Sequence, residues 1–262
     1  MSYQFDHRWK EERARLAALE QAFDPWSIRT ILATNPEPGW RCLEVGAGGG
    51  SMAAWLCELV GETGFVVATD LETKFLEAIE ADNLEIRKHN ITTDELEVNT
   101  FDLIHIRAVL AHLPERDEIV QRLIAALKPG GWLISVVADF TSVRAVQATS
   151  EDAVFFDQAF AAVITAAQKT GFHPSYGRYI GAVLRGHGME DVCVEGVVFE
   201  WGAGHPLAAL YQMTFHRLKD LVIEQNVLSK KDFEHLIDIM TSPNFYGLSN
   251  TLLLARGRKP LS

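Results

Sequence analysis

Residues 42–56 read CLEVGAGGGSMAAWL: an apolar run, alternating glycines, and then a stretch with helical character. A strand that turns through Gly46, Gly48 and Gly50 into a helix lets the backbone approach a nucleotide-like ligand closely. Glycine permits this because it tolerates positive φ and puts no side chain in the way. The pattern is G-x-G-x-G, whereas the dinucleotide fingerprint G-x-G-x-x-G needs glycine where Ser51 stands. The turn alone therefore leaves its ligand open, and a plain strand-to-helix turn is the alternative reading.

Around this stretch the chain alternates. Strands are predicted at 41–45, 65–69, 84–87, 101–106 and 132–138, with helices at 51–60, 73–80 and 116–127 between them. Such alternation indicates a parallel sheet covered on both faces. Upstream, the spacing of Trp9, Leu16, Leu19 and Phe23 predicts a helix over 7–23, ended by Asp24-Pro25, and a second short helix over 26–33. After Asp139 the rhythm breaks: helices at 151–169, 206–226 and 230–240, a strand at 192–201, and a final strand at 249–255. The second half reads as the end of the sheet with helical insertions.

The 262 residues carry a formal charge of −11, which disfavours nucleic acid and anionic membranes as partners. The basic group His7-Arg8-Trp9-Lys10 is followed at once by Glu11 and Glu12, as on a solvated helix face. Three cysteines without a C-x-x-C pair point to neither a disulfide framework nor a cysteine zinc site, and no metal is expected. The charged start and the lack of a run of about 20 apolar residues lead us to expect a cytoplasmic protein.

Two acids narrow the ligand. Glu44 lies two residues before Gly46, where it suits a cationic group and would repel a pyrophosphate. Asp70 ends the second strand, where a carboxylate can accept from both hydroxyls of a ribose; a helix N-cap is the alternative. A ligand with a ribose, a positive amine and no phosphate satisfies both, and S-adenosyl-L-methionine is such a molecule.

The sequence at this point resembles the class I S-adenosylmethionine-dependent methyltransferases. LEVGAGGG is similar to their first motif, VVATDLE to the acidic second, RKHNI to the third, FDLIHIRAVLAHLP to the fourth and LKPGGWLI to a later turn and strand. All five fall in family order across about residues 40–138. YQFDHRWKEERARL, VATDLETKFLE and LLLARGRKP also resemble a group of actinobacterial small-molecule methyltransferases. The resemblance implies a Rossmann-like, doubly wound, mainly parallel sheet with an antiparallel final strand. It implies one methyltransferase domain over 1–262: N-terminal helices at 1–35, a cofactor-binding core at 36–140, and lid helices with the last strands at 141–262. Carried over by position, Gly46, Ala47 and Gly48 line the methionine part, Glu44 lies near its amino group, and Asp70 binds the ribose. Leu71 packs on the adenine, Asn90 and Ile91 lie at its edge, and Arg107 approaches the methionine end. Many relatives carry aspartate where Asn90 stands, but an amide carbonyl can still accept from the adenine amine. A surface ion pair is the alternative for Arg107.

The acceptor is expected where strands four and five end, under a lid built after Asp139. Candidate groups are Asp139 (a base or a cap), His112, and the lid residues His173 and His205; His105 is expected in the core. Tyr176, Arg178, Tyr179 and Trp201, and the stripe Phe155, Phe156, Phe160, Val163 and Ile164, fit either a pocket or packing. The fourth motif lacks D/N-P-P-Y/F and no Pro-Cys pair occurs, so the partner is expected to be a small, mainly hydrophobic molecule methylated on O, N or C. Two other readings stay open: a protein of the same fold that uses the cofactor for a non-methylating reaction or senses it, and a nicotinamide oxidoreductase. Oligomeric state is not legible.

Overall fold

In the computed structural model, which describes residues 11–261, the alternation of strands and helices is present. The first half comprises α1 (Glu12–Leu32), β1 (Arg41–Val45), α2 (Ser51–Val60), β2 (Phe65–Asp70), β3 (Leu84–Lys88), β4 (Phe101–Arg107), α3 (Arg116–Ala126) and β5 (Leu127–Asp139). Then follow β6 (Arg144–Gln147), α4 (Ser150–Gln168), α5 (Ile180–Gly186), β7 (Glu190–Val197), β8 (Glu200–Gly202), α6 (Pro206–Glu224), α7 (Lys230–Thr241), β9 (Tyr246–Leu248) and β10 (Thr251–Arg258).

One sheet has the order β3-β2-β1-β4-β5-β10-β7, with β10 alone antiparallel to its neighbours. Cys42–Val45 and Leu103–Ile106 are buried on both faces, as unbroken runs of buried residues in central strands require. The winding reverses between β1 and β4. A crevice therefore opens beyond the carboxyl ends of these strands, the usual ligand position in such sheets. A second, antiparallel sheet, β6-β9-β8, packs with α4 and α6, against which α7 lies in turn. Its aromatic centre joins Phe156, Phe160, Trp201, Tyr211, Phe215 and Phe245 at ring separations between 4.7 and 6.2 Å.

Several expectations are corrected. The break at Asp24-Pro25 is absent, for α1 runs straight through Pro25. Proline there forfeits one backbone hydrogen bond, at a cost of about 3 kcal/mol. Opposing it, Ala22, Phe23, Ser27, Thr30 and Ile31 are buried along the same helix, and Asp24 takes a 2.6 Å ion pair from Arg107. Pro25→Ala is expected to stabilise the fold by about 2 kcal/mol, because restoring the bond outweighs the extra freedom of the unfolded chain. Chemical denaturation checks this; an unchanged midpoint would show that the helix bears no strain at Pro25. The expected start of the helix at 7–10, with Trp9 and the basic group, lies outside the described residues.

The predicted helix at 73–80 is reduced to one 3-10 turn, Leu76–Ala78. Only Leu76 is buried in that stretch, too little apolar surface to hold a two-turn helix. The strand expected over 192–201 divides into β7 and β8. At the break Phe199 N–H donates to Ser249 Oγ (3.1 Å), and Ser249 N–H donates to Phe199 O (2.9 Å). These bonds draw the chain from the large sheet into the small one. No helix among the described residues is long and apolar enough to cross a membrane.

Candidate functional site

The glycine turn is pinned from β2. Gly46 and Ala47 N–H both donate to Thr69 O, at 2.8 and 3.0 Å. Gly46 and Gly48 have φ of +70° and +58°, and a Cβ on Gly46 would lie 2.4 Å from a methyl of Val109. Both the backbone conformation and the space therefore demand glycine at 46. Asp70 braces the turn: Oδ2 accepts from Gly48 N–H (2.9 Å) and Oδ1 from Glu72 N–H (3.1 Å). Each oxygen retains a further lone pair. The helix-cap alternative for Asp70 falls away with the missing helix.

Glu44, at the end of β1, is buried, and its Oε2 accepts from His105 Nδ1–H at 2.6 Å. His105 Nε2 lies 3.2 Å from Ser27 Oγ on α1, and Arg107 donates to Asp24 at 2.6 Å. A buried polar chain thus ties β1 and β4 to α1. Sequence reasoning placed His105 in the core and missed this bond; the only signal was a polar residue inside an apolar strand. Arg107 does reach the site, but one guanidinium nitrogen is committed to Asp24.

At the other end of the turn Leu71 is 43% exposed and joins Asn90 and Ile91 in one wall. Here the structure amends the reading of Asn90. Its Oδ1 already accepts from Thr92 N–H (3.0 Å) and Thr92 Oγ–H (2.8 Å), which fills both lone pairs. The neighbouring His89, not foreseen, is buried in the same wall, and its Nδ1 has no hydrogen-bond partner.

Glu44, Gly46, Ala47, Asp70, Leu71, His89, Asn90, Ile91 and Arg107 line one continuous cavity of about 810 Å³, whose wall Gly48 and His105 do not join; the volume is within the range of roughly 300–1,000 Å³ usual for small-molecule sites. Beyond the glycine turn its walls become apolar: Leu16, Leu19 and Phe23 of α1, Phe140, Ile164 of α4, Phe172, and Leu210, Phe215 and Leu218 of α6. Of the four candidate acid–base groups, only His112 stands in this wall. It stacks on Phe172 with centroids 4.9 Å apart. Burial, followed by the positive charge of Arg15, lowers its pKa from 6.5 to about 4. The imidazole is therefore neutral at pH 7. The unfolded chain takes up this proton near pH 6.5 and the folded one only near 4, so stability is complete above 6.5 and falls as pH drops through 4. Denaturation of His112→Gln against pH is expected to show a flatter acid limb; an identical limb would place the titration elsewhere.

The other candidates are otherwise engaged. Asp139 accepts from Thr141 N–H (3.0 Å) and Oγ–H (2.7 Å) and pairs with Arg178, so it caps the end of β5. His205 caps α6, its Nδ1 accepting from Leu207 N–H at 3.1 Å. His173 packs against Tyr176 and Tyr179, outside the cavity wall. Tyr176 donates to Asp117 (2.9 Å). Trp201, Phe156 and Phe160 form the aromatic centre, and of the predicted stripe only Ile164 meets the cavity. No group of three or more His, Cys, Asp or Glu side chains suited to a metal occurs among the described residues.

Residues 43–133 match the model of a methyltransferase domain. A ubiquinone biosynthesis O-methyltransferase of Albidiferax ferrireducens is 28% identical over 135 residues, 48% of this chain and 52% of that protein. A ubiquinone/menaquinone biosynthesis C-methyltransferase of Pseudoalteromonas translucida is 28% identical over 117 residues, 42% and 47% of the two chains. The chain thus spans about half the length of the curated relatives it matches. Among solved structures, phosphoethanolamine N-methyltransferase 2 of Haemonchus contortus, in complex with phosphomonomethylethanolamine and S-adenosylhomocysteine, superimposes with a TM-score of 0.62. At 17% identity, the alignment covers 99% of this chain and 61% of that one, and it shows a shared fold. The matched segment begins in β1, three residues before the glycine turn braced by Asp70, and ends in β5: residues 43–133 are a methyltransferase domain, similar to those of the class I S-adenosylmethionine-dependent methyltransferases.

Proposed function

We propose that this chain transfers the methyl group of S-adenosylmethionine to an oxygen, nitrogen or carbon of a small, mainly apolar molecule. The observation that carries this reading is one continuous cavity, polar around the glycine turn and apolar beyond it, with His112 in its wall. The residues present fit the cofactor. The glycines at 46 and 48 leave the turn bare, Asp70 has acceptor capacity for a ribose, and Glu44 supplies a buried carboxylate for an ammonium. Leu71 and Ile91 offer apolar surface to a purine, and His89 Nδ1 offers the acceptor for its amine that Asn90 has spent. Bound there, S-adenosylmethionine supplies an electrophilic methyl group on a sulfonium.

The chain's own contribution is chiefly placement. Apolar walls exclude water that would compete for the methyl group, and alignment of the acceptor is worth on the order of 7–11 kcal/mol when good. His112, held neutral, is placed to take the proton that an O–H or N–H acceptor releases. Its lowered basicity suffices for oxygen, because a freshly alkylated oxygen is a far stronger acid than imidazolium.

Calorimetry with S-adenosylmethionine, S-adenosylhomocysteine and NAD tests the cofactor assignment; binding of NAD alone would overturn it. Given binding, incubation with a mixture of small phenols, amines and quinols is expected to yield a product heavier by one CH2. Turnover of the cofactor without such a product would favour the non-methylating alternative.

A further inference from the structure

Asn250 is the residue that the cofactor assignment leaves unexplained. It immediately precedes β10, is fully buried and stands in the apolar part of the cavity wall with Leu210, Tyr211, Phe215 and Leu252. Its backbone N–H donates to Tyr211 Oη (3.2 Å), and the Tyr211 hydroxyl donates in turn to Asn250 Oδ1 (2.5 Å). That reciprocal pair fixes the amide orientation. The backbone bond occupies the phenol oxygen as acceptor, its proton must go to a carbonyl oxygen, and Nδ2 is turned away. Nδ2 is buried and has no hydrogen-bond partner. An unmet donor of this kind costs about 1–3 kcal/mol, and an apolar residue of similar size would avoid the cost.

Charge in this half of the cavity is closed off. Arg15 is held by Glu12 through two bonds, Nε to Oε2 at 2.9 Å and a terminal nitrogen to Oε1 at 2.6 Å, and both residues are buried. His112 is neutral at pH 7. Among the described residues, the other ionisable side chains of the wall are Glu20, which lies against Gly49 at the glycine turn, Arg107, which is paired with Asp24, the rim residue Glu115 and the hydroxyl of Tyr211, besides Glu44, Asp70 and His89 at the cofactor end. Burial raises the phenol of Tyr211 well above its ordinary value, so it too is uncharged. Among the described residues, an anionic acceptor would meet only arginines already paired with Glu12 and Asp24, and would pay for its desolvation.

We infer that the methyl acceptor is an uncharged, mainly apolar molecule bearing an oxygen that accepts a hydrogen bond from Asn250 Nδ2, remote from the atom that is methylated. The inference rests on the reading of the cavity as a methyltransferase site. The distance follows from the sheet. β10 lies two strands from β4, whose carboxyl end leads to Arg107 and His112. Arg107 is level with Val136 and Leu254, and Asn250 lies four residues beyond that level; at about 4.8 Å per strand and 3.3 Å per residue, it stands roughly 16 Å from that end. The carbonyl or ether oxygen at Asn250 is thus an anchor, and the reacting group lies at the other end of the molecule.

The test uses the full chain loaded with S-adenosylhomocysteine and three tricyclic probes: 9-fluorenone, fluorene and fluorene-9-carboxylate. Fluorenone and fluorene share a skeleton and differ by one carbonyl. Titration calorimetry is expected to show fluorenone binding about tenfold more tightly than fluorene, with the carboxylate weakest. Asn250→Leu is expected to erase the fluorenone preference and leave the affinities for fluorene and S-adenosylhomocysteine unchanged. Asn250→Ala serves if the leucine variant does not fold, and the wild-type comparison stands without either. Equal binding of fluorenone and fluorene, failure of both to bind, tightest binding of the carboxylate, or a preference that survives in the variant would each overturn the inference. Failure of S-adenosylhomocysteine to bind in the first step would instead overturn the methyltransferase reading beneath it.

Discussion

Asp70→Ala is expected to weaken S-adenosylhomocysteine binding by about 10²–10⁴, with the fold retained. Two charge-assisted hydrogen bonds to the ribose are worth about 1.5–3 kcal/mol each. The same carboxylate also holds Gly48 N–H at 2.9 Å, so its loss frees the turn that must approach the ligand. Asp70→Asn separates the two effects. One amide oxygen preserves a single backbone contact while the NH2 group faces a second N–H, and an intermediate loss of affinity is expected. Calorimetry reads the affinity and circular dichroism the fold. An Asp70→Ala chain that binds as the wild type does would place the ribose elsewhere.

The second large effect is expected at His105. His105→Leu removes the N–H that Glu44 accepts at 2.6 Å and leaves a carboxylate only 2% exposed without that partner. Stranding a buried charge costs about 3 kcal/mol or more, which lowers the melting temperature by roughly 6–12 °C in a chain of this size. The ligand then provides the diagnostic. If Glu44 meets the ammonium of S-adenosylhomocysteine, that group replaces the missing donor, and saturating ligand raises the melting temperature of the variant more than that of the wild type. Equal shifts would show that Glu44 serves only the fold.

The glycine turn proposed to hold the cofactor was legible because it is local in sequence. A short strand, a glycine turn and the next strand end carry Glu44, Gly46, Gly48 and Asp70 within 27 residues, and their spacing survives folding unchanged. Misreadings in that part of the cavity arise from side-chain partners that spacing does not reveal. Asn90 spends its carbonyl on Thr92, two residues on, which frees no acceptor for a base. The apolar half of the cavity, proposed for the acceptor, is assembled from Leu16, His112, Phe172, Tyr211 and Asn250, drawn from five separate segments. A helical stripe such as Phe156, Phe160, Val163 and Ile164 has the same period whether it faces a cavity or a neighbouring helix. Only tertiary packing assigns three of the four to the core. Likewise Asp24-Pro25 is a sound stop signal by local rules, overridden by contacts from Arg107 and the buried face of α1.

The place of β10 has a consequence for how the molecule is made. The last strand of the chain is not at an edge but between β5 and β7, and Thr251 pairs with Asp139. Until β10 leaves the ribosome, β5 is an open edge strand, and its run Trp132–Ala138 (WLISVVA) is apolar, uncharged and free of proline. Such an edge is a template for pairing with other chains. About 110 residues separate the two partners, so at roughly 5–20 residues per second the edge stands open for on the order of ten seconds. Nascent chains stalled or cut before Thr251 are therefore the aggregation-prone form of this protein, and lowering the temperature of expression or co-expressing a chaperone that binds extended apolar segments should raise its soluble yield.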